Sequence, residues 1–417
     1  MATEVQALFA ELHAQLEREN YQKAIDTCNK IRAKAPNDAD AIRVKCQCLL
    51  RTGKFDKALE IALKADDLKM ERAYCHYKLK QLDAVLKVTS TFPEPKPKAV
   101  LHLEAQAHYR LNNFDASIRI YEHLLSQANA AEDTVELKTN LVAAYIAAGR
   151  GAELQQRTLE TEESYELAFN KSFVALQAQD VAGAADHLHL ATKLCRDTLV
   201  AEGYSADEIA AEAATIRVQE AFLAQLGGDD ETALAAYRAV AKTPDVDTSV
   251  VAVAQNNIAA IQRSKDAFDS LKRLGAISDE TLSKCTATQH ETILVNRVLV
   301  LLQLHKVDDA VAAVAVLAAR FPNSDLLAPL QLHLALQADP ANLNLAALAE
   351  TFNHSTGGRL CLAHVHCRLG RPAAAADALR LIPSIQHTPG TVATLVALYD
   401  AALDAKSAAA VVDAATA

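Results

Sequence analysis

The densest set of metal-capable side chains in this sequence is Cys361-Leu362-Ala363-His364-Val365-His366-Cys367. Two thiols and two imidazoles so close together are the ligand chemistry of zinc. The surrounding pattern is helical, however, and at about 100° per residue His364 and His366 point about 160° apart. The four cannot converge on one ion unless the helix unwinds. Cys361, His364 and Cys367 do share a face, where they read as helix packing or groove lining. Cys46 with Cys48, Cys75 with His76, and His187 with His189 read in the same way, as separate side chains on amphipathic helices. No metal site and no cofactor is expected. The chain also lacks a glycine-rich phosphate loop ending in Lys-Ser or Lys-Thr, and it lacks a Gly-x-Ser-x-Gly elbow. A non-enzymatic protein is the expectation.

A second chemistry is carried by carboxamides. Asn170, Asn257 and Asn296 each stand eleven residues before a short turn signal, at Val181, Phe268 and Val307; Gln219 stands as far before Asp230, and Asn140 before Gly151. An amide offers donors and an acceptor together, as a peptide backbone requires of a partner. These residues could form a ladder that holds the main chain of an extended or partly helical segment. Asparagine at this place also bonds commonly to a neighbouring repeat, so that alternative stands beside it. Arg43 and Arg51, and further on Tyr109 with Arg110, fall on the same type of face, and Arg and Tyr are favoured interface anchors. Lys138 lies beside Asn140.

These residues are positioned by one recurrent element. The stretch 41–65 reads helix, turn, helix: Ile42, Leu49 and Leu50 recur around the small Cys46, Gly53 breaks the pattern, and Ala58, Leu59, Ala62 and Ala65 continue it. Small residues at the crossing let two antiparallel helices approach closely. A single hairpin cannot bury its outer face, whereas stacked copies can. The copies are present. Tyr21-Gln22-Lys23-Ala24 is matched by Phe55-Asp56-Lys57-Ala58 at a step of 34 residues, then by Leu82-Asp83-Ala84-Val85 at 27 and Phe114-Asp115-Ala116-Ser117 at 32. Val181, Asp230, Phe268, Val307 and Pro372 open further copies, and Ala408 marks the last. The period is that of tetratricopeptide repeats. The expected fold is all-α, a tetratricopeptide-like right-handed solenoid of about ten helix pairs occupying residues 1–417 as a single domain.

Composition agrees. Hydrophobic residues make up 51% of the 417, but aromatics only 5%, with no Trp and with alanine commonest. Alanine is a strong helix former and a poor filler of one thick core, so many thin helix-to-helix seams are expected.

Irregularities mark the seams. The prolines in 91–98 forbid a helix and predict an extended stiff linker, with a proline-rich ligand motif as the sharper alternative. The acidic run Glu160-Thr161-Glu162-Glu163 reads as a solvated helix start. In the insertion 201–208, Ser205 reads as an N-cap with Glu208 at capping-box spacing. The segment from Ala408 starts a second helix and stops, from which a continuing native chain is expected.

Forty-two basic and 52 acidic residues give a formal charge of −10, which argues against nucleic-acid binding by net field. The eight cysteines have no paired spacing, as expected of reduced thiols in a cytosolic or nuclear protein. The N-terminal twenty residues carry charge throughout and do not read as a signal peptide. No apolar run long enough for a membrane span occurs.

Several pieces lie outside the repeat consensus: Ala73-Tyr74-Cys75 with Tyr77-Lys78-Leu79; Lys138-Thr139-Asn140-Leu141; Asn256-Asn257-Ile258 with Asp266, Phe268-Asp269-Ser270 and Lys272; and Pro389-Gly390 with Val392. In this order they resemble the N-terminal tetratricopeptide region of the seventy-two-kilodalton subunit of the eukaryotic signal recognition particle. The resemblance implies a scaffold that clasps the C-terminal part of the sixty-eight-kilodalton sister subunit as a heterodimer. That heterodimer belongs to a cytoplasmic ribonucleoprotein, with a nuclear or nucleolar assembly phase, which targets nascent secretory and membrane proteins to the endoplasmic reticulum. The family also has a lysine-rich C-terminal segment that contacts the particle RNA; these 417 residues contain none, so RNA contact is expected to be indirect. Two other readings stay open. One is a co-chaperone adaptor gripping a chain-terminal carboxylate, hinted at by Lys138 and Asn140 but without a second cation in register. The other is the helical regulatory arm of an enzyme.

Overall fold

The computed structural model describes residues 2–128, 134–154, 164–338, 343–354 and 356–416, and all regular structure among them is helical. The chain divides into two compact units, Met1–Leu223 and Ala224–Ala417.

Unit 1 is a run of antiparallel pairs: α1 (Ala2–Glu17) with α2 (Tyr21–Lys34), α3 (Ala39–Arg51) with α4 (Phe55–Ala62), α5 (Lys69–Lys78) with α6 (Leu82–Thr89), and α7 (Lys98–Arg110) with α8 (Phe114–Ser126). After α9 (Val135–Ala147) comes a single 3-10 turn, Gly151–Leu154. Next are α10 (Tyr165–Gln177) paired with the long α11 (Val181–Ala201), then α12 (Ala206–Glu212) and α13 (Ala214–Leu226), within which the unit boundary falls. Unit 2 contains α14 (Asp230–Val240), α15 (Thr248–Gln262) with α16 (Ala267–Gly275), α17 (Asp279–Leu282), and α18 (Ala287–Gln303) with α19 (Val307–Arg320). It continues through α20 (Leu327–Ala338), α21 (Leu345–Phe352), α22 (Thr356–Arg368) with α23 (Pro372–Arg380), and α24 (Pro389–Ala401) with α25 (Ala405–Thr416). The expected turn signals open the second helices at Tyr21, Phe55, Leu82, Phe114, Val181, Asp230, Val307 and Pro372. At α16 the helix begins one residue earlier, at Ala267, capped by the Asp266 carboxylate, which accepts from the Asp269 amide at 2.9 Å.

One turn geometry recurs between the paired helices. The residue two places before every second helix except α16 takes positive φ: Glu19, Gly53, Lys80, Asn112, Gln179, Gly228, His305, Gly370 and Leu403. At Gly53 the glycine amide donates to the Leu50 carbonyl at 3.1 Å and the Lys54 amide to Leu49 at 2.9 Å. This is the Schellman arrangement, which satisfies carbonyls that the end of a helix leaves unpaired. The same pair of bonds closes α5 at Lys80 and Gln81 and α18 at His305 and Lys306.

The helices in a pair approach closely because both present small side chains. Ala24, Ala58, Val85, Ser117, Ala184, Ala233, Ser270, Ala310 and Ala375 hold the fourth position of the second helix and are all 0% exposed. Against them lie Cys46, Ala73 and Ala105 of the first helices, also fully buried. Where the small residue is polar it is satisfied: Ser117 Oγ donates to the Ala105 carbonyl at 3.0 Å and Ser270 Oγ to that of Ala259 at 3.2 Å. The core is a series of local clusters, such as Leu12–Ile31–Cys46–Leu49–Leu68 in unit 1 and Leu274–Val298–Leu301–Leu317 in unit 2. This is the many-seamed interior implied by abundant alanine, and the fold is tetratricopeptide-like.

The proline stretch is non-helical as far as Pro97, with Lys98 already in α7, and Lys96 Nζ reaches Glu104 at 2.9 Å. Ser205 and Glu208 form the expected capping box at the start of α12. The run 160–163 lies outside the described residues.

Candidate partner-binding surface

The first helices α3, α5 and α7 of unit 1 pack in series. Between α3 and α5 a groove of about 490 Å³ is lined by Gln47, Leu50, Arg51, Met70, Glu71 and Tyr74. Its floor is aliphatic and aromatic, and Arg51 stands exposed at its edge. One repeat along, Lys78 Nζ lies over the rings of Tyr74 and Phe55, 5.6 and 5.7 Å from their centroids. The two rings meet edge to face at 6.5 Å. In the next repeat the Arg110 guanidinium covers Tyr77 at 4.3 Å, and Tyr109 packs edge-on against Phe114 at 5.7 Å. Burial pushes the Tyr109 and Tyr77 phenols above their ordinary values, so both remain neutral donors.

Arg51, Lys78 and Arg110 share a register. Each stands four residues before its second helix, at Phe55, Leu82 and Phe114 respectively. Among the described residues none of the three has a carboxylate partner, whereas Arg43 is tied to Asp67 at 2.7 Å and Arg150 to Asp115 and Glu153, each at 2.6 Å. Arg43 therefore belongs to a seam between repeats, whereas Arg51 and Arg110 are exposed and Tyr109 is half-buried against Phe114. Lys78 is not among the residues expected from the sequence, yet it stands four residues before Leu82 as Arg51 and Arg110 stand before Phe55 and Phe114, and that shared spacing is the signal that marks it.

The amides bond within the array. Asn140 Nδ2 lies 3.3 Å from His102 Nε2, and Asn170 Nδ2 donates to the Thr139 carbonyl at 3.2 Å. Gln219 is the exception: it is buried, and among the described residues its Nε2 has no hydrogen-bond partner. In unit 2, Asn257 Nδ2 donates to the Tyr237 hydroxyl at 3.0 Å, and Asn296 Nδ2 to Asn256 Oδ1 at 2.9 Å. The donor bonds of the four asparagines thus tie first helices to neighbouring elements. Lys138 is half-buried on α9, two residues before Asn140.

The Cys361–Cys367 segment lies in α22, which remains wound, with Cys361 half-buried and Cys367 exposed. Among the described residues no group of His, Cys, Asp or Glu is placed to hold a metal ion, and the cysteines are all free. Burial pushes the Cys28 and Cys75 thiols up to about 11 and that of Cys46 to about 12, so none is a ready nucleophile. No described helix is long and apolar enough to cross a membrane.

Comparison with known proteins gives this architecture a family context. The family SRP_TPR_like, a TPR-like repeat, matches residues 14–145, which include the whole cation-bearing face. Signal recognition particle subunit SRP72 of Dictyostelium discoideum is 29% identical over 97% of this chain and 64% of its own length. The SRP72 subunit of Caenorhabditis elegans is 31% identical over 87% of this chain and 57% of its own. The chain is thus similar to SRP72 subunits. The human SRP72 subunit aligns at 28% identity over 97% of this chain and 62% of its own length, so the chain spans about three-fifths of these relatives.

The pieces that carried the resemblance fall at structurally distinct places. Tyr74 and Tyr77 are the rings beneath Lys78 and Arg110. Asn256 and Asn257 are the middle of a hydrogen-bonded series in unit 2. The first group belongs to the exposed face, the second to the interior.

Proposed function

We propose that this chain is the repeat region of a signal recognition particle subunit and acts as a non-catalytic scaffold. It holds a segment of the sixty-eight-kilodalton sister subunit in a heterodimer, within the cytoplasmic ribonucleoprotein that targets secretory and membrane proteins to the endoplasmic reticulum. The observation that carries this reading is similarity to SRP72 over 97% of the chain. A groove with exposed cations and half-buried rings on the first helices of α3, α5 and α7 supports it. Arg51, Tyr109 and Arg110 are the primary contacts. The amides of Asn140, Asn170, Asn257 and Asn296, with Arg43 and Lys138, serve the same partner more indirectly, by fixing the first helices and, for the amides, through the acceptor and second amide hydrogen that one bond leaves over. Gln219 brings an amide nitrogen not engaged by any described residue. Contact with the particle RNA is made through other parts of the assembly.

The test is capture of the sister subunit on the purified chain, followed by limited proteolysis of the captured material. One protected segment from that subunit is the expected result. Protection of a chaperone's terminal peptide instead, or capture of no sister-subunit segment, overturns it.

A further inference from the structure

We infer that the first-helix face of unit 1 recognises an acidic peptide segment with aliphatic anchors, and that Arg51, Lys78 and Arg110 are its successive carboxylate-binding groups. The inference rests on the scaffold reading and names the chemistry of the partner.

The argument begins with register. The three cations hold the same place in successive repeats, and their first helices pack in series, α3 on α5 and α5 on α7. Packed helices lie about 8–10 Å apart, so the cations form a row with about that spacing. An extended chain advances about 3.3 Å per residue, which places an acidic side chain opposite each cation when carboxylates recur at about every third residue.

Preorganisation follows from the rings. Lys78 rests over Tyr74 and Phe55 and Arg110 over Tyr77, so both charged heads are held in place before a partner arrives. Less side-chain entropy is then lost on binding. The three are exposed and have no carboxylate partner among the described residues, in a chain whose formal charge is −10. A basic row in an acidic protein repels basic partners at this face and steers acidic ones to it.

The groove supplies the second requirement. Leu50, Met70 and Tyr74 offer an apolar wall beside Arg51, which suits Leu, Val or Ile between the acidic residues. Glu71 is the carboxylate lining this groove. It repels acid on its own side and so directs the partner's carboxylates toward Arg51 and Lys78. A phosphate backbone would satisfy the cations but would leave this apolar wall unfilled, so a peptide fits better than RNA.

The experiment is a fluorescence-anisotropy titration of the whole chain with three probes. They are a labelled synthetic peptide with Glu at every third position and Val or Leu between, its Gln counterpart, and an oligouridine of equal length. Binding of the Glu peptide, weakened by salt, is expected, with a loss of about tenfold or more in the R51E/K78E/R110E variant at low salt and an unchanged circular dichroism spectrum. The neutral R51Q/K78Q/R110Q variant keeps the test independent of any misfolding from charge reversal. Equal binding of the Gln peptide, an unchanged affinity in both variants, or binding of oligouridine without the Glu peptide overturns the inference. Capture of the sister subunit is scored separately. Its failure would sink the proposed function while the peptide titration still decides the cation row.

Discussion

Asn296 donates from its Nδ2 to the Oδ1 of Asn256, 40 residues earlier in the chain, at 2.9 Å. From there one directional series runs through unit 2. Asn256 Nδ2 donates to Asn257 Oδ1 at 3.1 Å, Asn257 Nδ2 to the Tyr237 hydroxyl at 3.0 Å, and that hydroxyl to Gln225 Oε1 at 3.0 Å. Asn256 is only 5% exposed and Tyr237 not at all. The series fixes the register of α14, α15 and α18 against one another, because shifting one helix would strand buried donors in its neighbours.

Removing the central member should therefore be costly. Asn256→Ala leaves the Asn296 amide and the Asn257 carbonyl unpaired, and a loss of about 1–3 kcal/mol is expected. Amide hydrogen exchange in α15 and α18 would report it. Unchanged protection in both helices would mean that the series has no structural role.

The crossing inside each pair should tolerate polarity better than size. Ala58 is fully buried, and its carbonyl accepts from Cys46 Sγ at 3.7 Å. Ala58→Leu should cost about 1–3 kcal/mol by overpacking. Ala58→Ser should remain near wild type, since Ser117 and Ser270 occupy the same register and donate to a carbonyl of the first helix. Urea unfolding of the three proteins decides the order.

The turn before α19 offers a gain. His305 is exposed at φ 54°, where Gly53 and Gly370 sit at φ 70° and 67° in their own repeats. A side chain in this conformation costs about 1–2 kcal/mol, partly offset by the larger unfolded-state entropy of glycine. His305→Gly is expected to stabilise unit 2 by about 0.5–1 kcal/mol, read as a later urea midpoint. A midpoint earlier than wild type would contradict this.

Acid sensitivity should trace partly to His290. It is 9% exposed and stacked edge-on against Phe321 at 5.3 Å. Burial, then the nearby Arg320 charge, holds its imidazole below the ordinary value of 6.5, with Asp279 opposing. The folded state thus binds this proton less readily than the unfolded chain does. Its contribution is complete above about pH 6.5 and is lost as pH falls through the lowered folded value. His290→Leu should flatten that part of the stability profile. An identical slope in wild type and variant would assign the acid sensitivity elsewhere.

Much of the fold was legible because the turn signals and the alternation of small residues are local. Tyr21, Phe55 and Phe114 announce second helices, and Ala24, Ala58 and Ser117 announce close crossings, whatever lies far away in the chain. The turn geometry was less legible. Glycine marks it at Gly53, Gly228 and Gly370, but Lys80, Asn112, Gln179 and His305 adopt the same left-handed conformation, because the helix-capping bonds and packing on both sides overrule their own preference. The capping box at Ser205 was readable for the opposite reason, since both partners lie within one turn.

The candidate site divides along the same line. The sequence alone determined that this is a repeat of helix pairs, where its first helices lie, and which residues share a register on them, since periodicity fixes the face on which a side chain stands. Only the tertiary structure decided how those residues are used. Asn257 and Asn296 look like outward amides until the neighbouring Tyr237 and Asn256 are brought beside them. Lys78 looks like an ordinary surface lysine until Phe55, from the preceding repeat, slides beneath it. Register is a property of one helix, whereas hydrogen-bond partners and ring stacking are supplied by the next one, and that pairing is settled only when the repeats pack.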